Sequence, residues 1–266
     1  MMPTARSPAA GMVALVTGST QGLGEAIARE LIAQQMIDGP VICGRNDKQG
    51  RRLADEFAAL GCRTEFVLAD LTKLDDCERV VETVRGSFDR IDYLVNSAAT
   101  SERGSILDST PELFERIVGL NVRAPFFLMQ GALRLMLDRG IQGSIVNILS
   151  MSSHGGQPFL CPYSMSKGAL ATLTRNVANS VLKDRIRVNG LNLGWMDTPG
   201  EAAVQQRFHN ASAHWLAEAE SAQPLGRLVK PTEVAQTVAF LLSERSGLMT
   251  GAIIDFDQQV LGTSGS

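Results

Sequence analysis

Histidine and cysteine are scarce in this sequence, and they are scattered. The three histidines fall at 154, 209 and 214, and the four cysteines at 43, 62, 77 and 161. No two cysteines form a CxxC pair and no histidines cluster with them, which excludes a zinc knuckle; no metal is expected. The thiols read as reduced, with Cys43 in the core, and the expected location is cytoplasmic. Positive charge is not in excess either: 25 Lys and Arg stand against 28 Asp and Glu, a net charge of −3. A basic field for nucleic acid or an anionic membrane is therefore missing. No apolar run reaches membrane-spanning length. Residues 1–11 carry Pro3 and Pro8 without an apolar stretch, so they resemble no signal peptide and are expected as a flexible N-terminal arm.

What is abundant is ordinary for a globular domain, with 44% hydrophobic residues and 20% charged, except for glycine, of which there are 25. Met12–Thr17 is a short, fully apolar run, the pattern of a strand buried on both faces. Gly18, Gly22 and Gly24 follow, then a helical pattern with Ile27, Leu31 and Ile32. Strand, glycine loop and helix form the context for a dinucleotide phosphate: glycines allow close backbone approach and the helix N-terminus supplies N–H groups. Pro40–Cys43 is a second strand, closing on Gly44-Arg45-Asn46 with no carboxylate until Asp47. An acid at that place would bond a ribose 2′-hydroxyl; Arg45 instead suits a 2′-phosphate, which favours NADP over NAD. The competing reading is that Arg45 is solvated or caps the next helix.

Further strands are expected at 64–68, 91–96, 143–149, 185–192 and 251–255, with helices at 48–60, 75–85, about 111–120 and from 231. Asp70, just past the third strand, would face an adenine amine, cap the next helix, or do both. The fourth strand closes on small residues, Ser97-Ala98-Ala99, which let a ligand near the backbone. Thr110 and Pro111 open a helix as cap and first residue. Pro125 interrupts its continuation one turn after Asn121, where a kink is expected. Segment 195–225 is polar and interrupted. Strands alternating with helices predict an α/β fold: a doubly wound (Rossmann) parallel sheet, mostly seven-stranded, with helices on both faces, in a single domain over 12–266.

Tyr163 and Lys167 are four residues apart on the helix after the fifth strand, hence on one face. A phenol titrates near pH ~10, and an ammonium beside it favours the phenolate. Bringing it to pH 7 takes roughly 4 kcal/mol at about 1.4 kcal/mol per unit. The pair is a candidate proton donor and acceptor; the bland alternative is a surface contact.

Together these motifs resemble a classical short-chain dehydrogenase/reductase over about residues 13–255. The matching residues fall in order: Thr17-Gly18-x-x-x-Gly22-x-Gly24, Asp70, Asn96-Ser97-Ala98-Ala99, Asn121, Ser150 and Tyr163-x-x-x-Lys167. The family's catalytic serine lies thirteen residues before its tyrosine, which selects Ser150 over Ser152 or Ser153. The resemblance implies that Tyr163 exchanges a proton with the substrate oxygen. It implies that Lys167 lowers the Tyr163 pKa and holds the nicotinamide ribose, that Ser150 bonds the carbonyl or alcohol oxygen, and that Asn121 positions a water. Cofactor-binding positions by the same resemblance are Gly18, Thr20, Gln21, Gly22, Leu23, Gly24, Arg45, Asn46, Asp70, Leu71, Asn96, Ser97, Ala98, Tyr163, Lys167 and Thr198. Substrate positions are Ser152, His154, Trp195 and Met196, with 195–225 as a lid; Phe208, His209, His214 and Trp215 also fall in it.

The sequence departs from the family at Asn192-Leu193-Gly194, where a proline is usual, at Asn96-Ser97-Ala98-Ala99, and at Asp255-Phe256-Asp257-Gln258. Gln21 stands where many NADP-preferring members carry a basic residue. The implied activity is an NAD(P)-dependent oxidoreductase acting on a small-molecule secondary alcohol or ketone, with a polyol or sugar favoured, and the implied assembly is a homotetramer or dimer. A 3-oxoacyl-thioester reductase, a catalytically idle nucleotide-binding scaffold, and an epimerase or dehydratase on the same fold are the alternatives. The last two fit less well: an idle binder has no need of the full Asn121, Ser150, Tyr163 and Lys167 set, and epimerases tend to carry a larger C-terminal region.

Overall fold

The computed structural model describes residues 11–209, 212 and 214–262, with the His209 side chain outside that description. The arm expected at 1–11 therefore lies, but for Gly11, outside the described residues. Strands β1 (Val13–Thr17), β2 (Gly39–Gly44), β3 (Glu65–Leu68), β4 (Tyr93–Asn96), β5 (Ser144–Ile148), β6 (Arg187–Leu193) and β7 (Ile253–Phe256) form one sheet in the order β3-β2-β1-β4-β5-β6-β7. Every pairing in it is parallel. The chain reverses its direction of growth between β1 and β4, and ligands bind beyond the carboxyl ends of the strands at such a point.

Unbroken burial along the apolar strands demands helices on both faces. Val13, Leu15, Val41 and Cys43 pack against α3 (Leu74–Phe88), α5 (Ala124–Arg139) and α6 (Cys161–Ser180). Ala14, Val16 and Ile42 pack against α1 (Gly22–Ala33), α2 (Asp47–Ala59) and α9 (Pro231–Leu242). The largest core side chains, among them Phe57, Leu31 and Leu128, are fully buried; each such Leu or Ile stabilises by roughly 1.5–3 kcal/mol. Burial holds the Cys43 thiol at about 12, so it is an inert part of this core.

Helix α4 (Pro111–Val118) starts as expected, with the Thr110 side chain accepting from the Leu113 N–H. The disturbance expected at Pro125 takes the form of a π turn over Gly119–Arg123, in which Ala124 N–H donates to Gly119 O. Pro125 has no N–H to continue the α-helical ladder, and the register slips by one residue around it. After β6 come α7 (Pro199–His209) and α8 (Trp215–Ser221), the helical pieces of the segment expected as a lid.

Candidate functional site

A cleft of about 1240 Å³ opens along the carboxyl ends of the strands. Its floor is backbone. Gly18 (φ +64) follows β1, and a Cβ there would come within 2.8 Å of Ala98 Cα; at Gly24 a Cβ would meet Gly18 O at 2.5 Å. The Thr17 hydroxyl accepts from the N–H groups of Ser97 and Ala98, tying the loops after β1 and β4 together. No side chain caps the N-terminus of α1. Its first residues, Gly22, Leu23 and Gly24, line the cleft. Gly18, Thr20 and Gln21 complete this wall, and Arg45, Asn46, Asp70 and Leu71 continue it past β2 and β3. Open N–H groups on a glycine floor fit the phosphates of a dinucleotide.

The opposite wall comes from β5 and α6. Ser150, Tyr163 and Lys167 all line it. Lys167 is 2% exposed, and its Nζ donates to Ile148 O at 2.8 Å, lying 5.8 Å from the Tyr163 ring centroid. Desolvation pushes this lysine down to about 8. The Tyr163 phenol is pushed up, chiefly by burial; a hydrogen bond with Ser150 opposes this, the Glu201 carboxylate adds to it, and the Arg103 guanidinium opposes it. Burial therefore works on the phenol against the lowering expected from the spacing. The ammonium donates to a backbone carbonyl beneath the ring, and burial disfavours both charged forms.

Three expected positions are placed differently from the reading of the sequence, and for a fourth, Asp70, one of two alternatives is. Asn96 turns off the cleft, where its Nδ2 donates to Asn147 Oδ1 at 2.8 Å. Alternation along β4 points it to the face opposite Val95, and the next residues, Ser97 and Ala98, line the cleft instead. Asn121 is fully buried, its amide donating to Thr100 O and Ser166 Oγ and accepting from Thr100 N–H. Both N–H donors of the amide are taken and its Oδ1 accepts one bond, so the side chain is committed to this buried network; Leu120 reaches the cleft in its place. His154 turns to the sheet edge, its Nε2 lying 3.2 Å from Asp255 Oδ1 and 3.1 Å from Asn192 Nδ2. Asp70 does line the cleft, but it closes a turn by accepting from the Thr72 N–H and hydroxyl rather than capping α3, whose cap is Lys73.

Ser152, Trp195, Met196 and Thr198 line the cleft as expected. Ser152 donates to Gln157 Oε1, and the Thr198 hydroxyl also accepts from Glu201 N–H at the start of α7. Asn46 doubles as the cap of α2, accepting from Gln49 N–H. Sequence reasoning missed Arg103, Glu201, Gln205, Gln223 and Gln259, all on the cleft. None belongs to a motif; Glu201 and Gln205 arrive on α7 and the others on loops, and local patterning does not encode where these segments run.

A doubly wound sheet, a glycine-floored cleft at its switch point and a Ser, Tyr and Lys wall define a dinucleotide-dependent oxidoreductase. The family profile described as enoyl-(acyl carrier protein) reductase matches residues 18–258. A short-chain dehydrogenase/reductase of Cladobotryum sp is 32% identical over 91% of this chain and 93% of its own length. The 2-dehydro-3-deoxy-D-gluconate 5-dehydrogenase of Escherichia coli is 32% identical over 93% of this chain and 94% of its own. The crystal structure of L-sorbose reductase from Gluconobacter frateurii, complexed with NADPH and L-sorbose, superposes with a TM-score of 0.88 at 29% identity, covering 96% of this chain and 98% of that one. The chain belongs to the short-chain dehydrogenase/reductase family. No helix among the described residues is long and apolar enough to cross a membrane.

Proposed function

We propose that this protein interconverts a small, hydroxylated secondary alcohol and its ketone with NADP(H), and that Tyr163 transfers the proton. The observation that carries the reading is the convergence of Ser150, Tyr163 and Lys167 on the cleft wall opposite the glycine floor. A bound nicotinamide supplies or accepts the hydride; the chain handles orientation and the proton. Tyr163, kept protonated at neutral pH by burial, is set to donate to an oxygen that gains negative charge as a carbonyl is reduced. Ser150, already hydrogen-bonded to the phenol, shares that oxygen and stabilises the charge developing there. Lys167 beneath the ring favours the phenolate that remains.

Support for NADP(H) lies at the end of β2. Arg45 is exposed on the cleft there. The nearest following carboxylate, Asp47, is engaged by Arg51 at 2.9 Å within α2. Asp47 lines the cleft too, but it is paired with Arg51, and an exposed arginine there favours a 2′-phosphate over a 2′-hydroxyl. The L-sorbose reductase of similar structure was crystallised with NADPH. A hydroxylated substrate is supported by the lining: the four glutamines 157, 205, 223 and 259, and Trp195, whose Nε1 donates to Glu201 at 2.9 Å. Amide groups and a carboxylate match hydroxyls, and an indole face suits a sugar-like carbon skeleton.

Replacing Tyr163 by Phe tests the assignment. Ketone reduction followed by NADPH absorbance is expected to fall about 10²–10⁴-fold in kcat, with NADPH binding retained. Turnover within a few-fold of the wild type would end it.

A further inference from the structure

Arg103 is a further cation on the cleft, besides Lys167; its charge reaches Tyr163, and no motif accounts for it. The loop that carries it is pinned to the segment entering α6. Gly104 forms a parallel bridge with Leu160: Gly104 N–H donates to Phe159 O and Cys161 N–H to Gly104 O, each at 2.9 Å. A Cβ on Gly104 would stand 2.5 Å from Ser109 Oγ, so the loop approaches this closely only with glycine there. Leu160 in turn leads by three residues to Tyr163. The bridge therefore fixes Arg103 relative to the catalytic wall.

Its guanidinium carbon lies 5.2 Å from the centroid of the Phe159 ring, and both residues line the cleft. A guanidinium stacked on an aromatic ring has its plane set, and its N–H edge matches the two oxygens of a carboxylate. The charge of Arg103 is felt at the Tyr163 hydroxyl. A second charge in this half of the cleft, Glu201, is held by Trp195 Nε1 and Gln205 Nε2. The cleft thus carries, besides the catalytic wall, a cation and a fixed acceptor for hydroxyls.

We propose that the substrate is a polyhydroxy acid whose carboxylate is held by Arg103, while its hydroxyls face Glu201 and the cleft glutamines. This rests on reading the cleft as the site of an alcohol and ketone oxidoreductase. Arg103 is then a specificity-determining residue: it grips the end of the substrate remote from the carbon that reacts.

The test compares two ligands that differ only in one carboxylate, D-gluconate and D-glucitol. Each is titrated calorimetrically into the full-length protein, with and without NADPH; with NADPH no turnover occurs, since ligand and cofactor are both reduced. D-Gluconate is expected to bind the wild type at least tenfold more tightly than D-glucitol. Arg103→Gln is expected to bring the two within threefold, and Arg103→Lys to keep part of the preference. Equal affinities in the wild type, no gluconate binding, or an unchanged preference in Arg103→Gln would overturn the proposal. If Arg103→Gln does not fold, the wild-type comparison and Arg103→Lys still decide. Kinetics separate this from the broader reading. With NADPH, 5-keto-D-gluconate is expected to exceed L-sorbose tenfold in kcat/KM, through KM. Reduction of neutral ketones alone leaves the oxidoreductase reading standing and overturns the acid; gluconate-selective binding with no ketone reduced does the reverse.

Discussion

Lys167 is held where an ammonium is costly. It is 2% exposed, with one backbone carbonyl as partner, and its folded value of about 8 lies below the ordinary 10.5. Between those two values the unfolded chain binds more protons than the folded one, so stability rises with pH across about 8 to 10.5, and the penalty is present in full below 8. The difference corresponds to at most about 3 kcal/mol. Lys167→Met is therefore expected to raise the melting temperature by several degrees at pH 7 and by much less at pH 10.5, while abolishing turnover. Scanning calorimetry at both pH values checks this, and an unchanged or lower melting temperature at pH 7 would count against it. The spacing of Tyr163 and Lys167 was readable in the sequence; the direction in which burial moves them was not, because it depends on the depth of α6 against β5.

Among the elements, the turn between β1 and α1 leaves the least room. A methyl on Gly24 would lie 2.5 Å from Gly18 O and 2.8 Å from Gly18 C, both backbone atoms. Gly24→Ala is expected to cost about 1–3 kcal/mol by overpacking, read as a lower denaturant midpoint, and to weaken NADPH binding because the floor must shift. A midpoint equal to the wild type would show that the turn relaxes freely. This turn, all seven strands and the cap at Thr110 were legible because apolar period, glycine and cap residues act locally. Asn96 and Asn121 were assigned to the ligand by position, yet their amides serve the buried polar network beneath it, with Asn147, Thr174, Thr100 and Ser166. An asparagine that binds a ligand and one that satisfies a buried neighbour look alike in sequence. Arg103 reaches the cleft beside a bridge between distant loops, which no local pattern encodes.

At the scale of the molecule, the cleft joins loops from both halves of the sheet, so a dinucleotide there binds the folded chain alone. Linkage adds about 2.7 kcal/mol when the ligand is at a hundred times its Kd, a rise of about 5 °C for a chain of this size. NADPH is expected to give a larger thermal shift than NADH at equal concentration, and Arg45→Ala to narrow that gap. A larger shift with NADH would sink the 2′-phosphate argument.

The strand order also implies a timetable for synthesis. β1 is bonded on one side to β2 and on the other to β4, and the Val13 N–H to Asp92 contact beside β4 spans 79 residues. Non-local parallel pairs close slowly, and domains form as the chain emerges from its N-terminal end. Once β4 has docked, β5, β6 and β7 each add to the same growing edge in the order in which they leave the ribosome. The nascent chain never has to open a finished seam, and the unpaired edge it exposes at each stage is the one the next strand will cover.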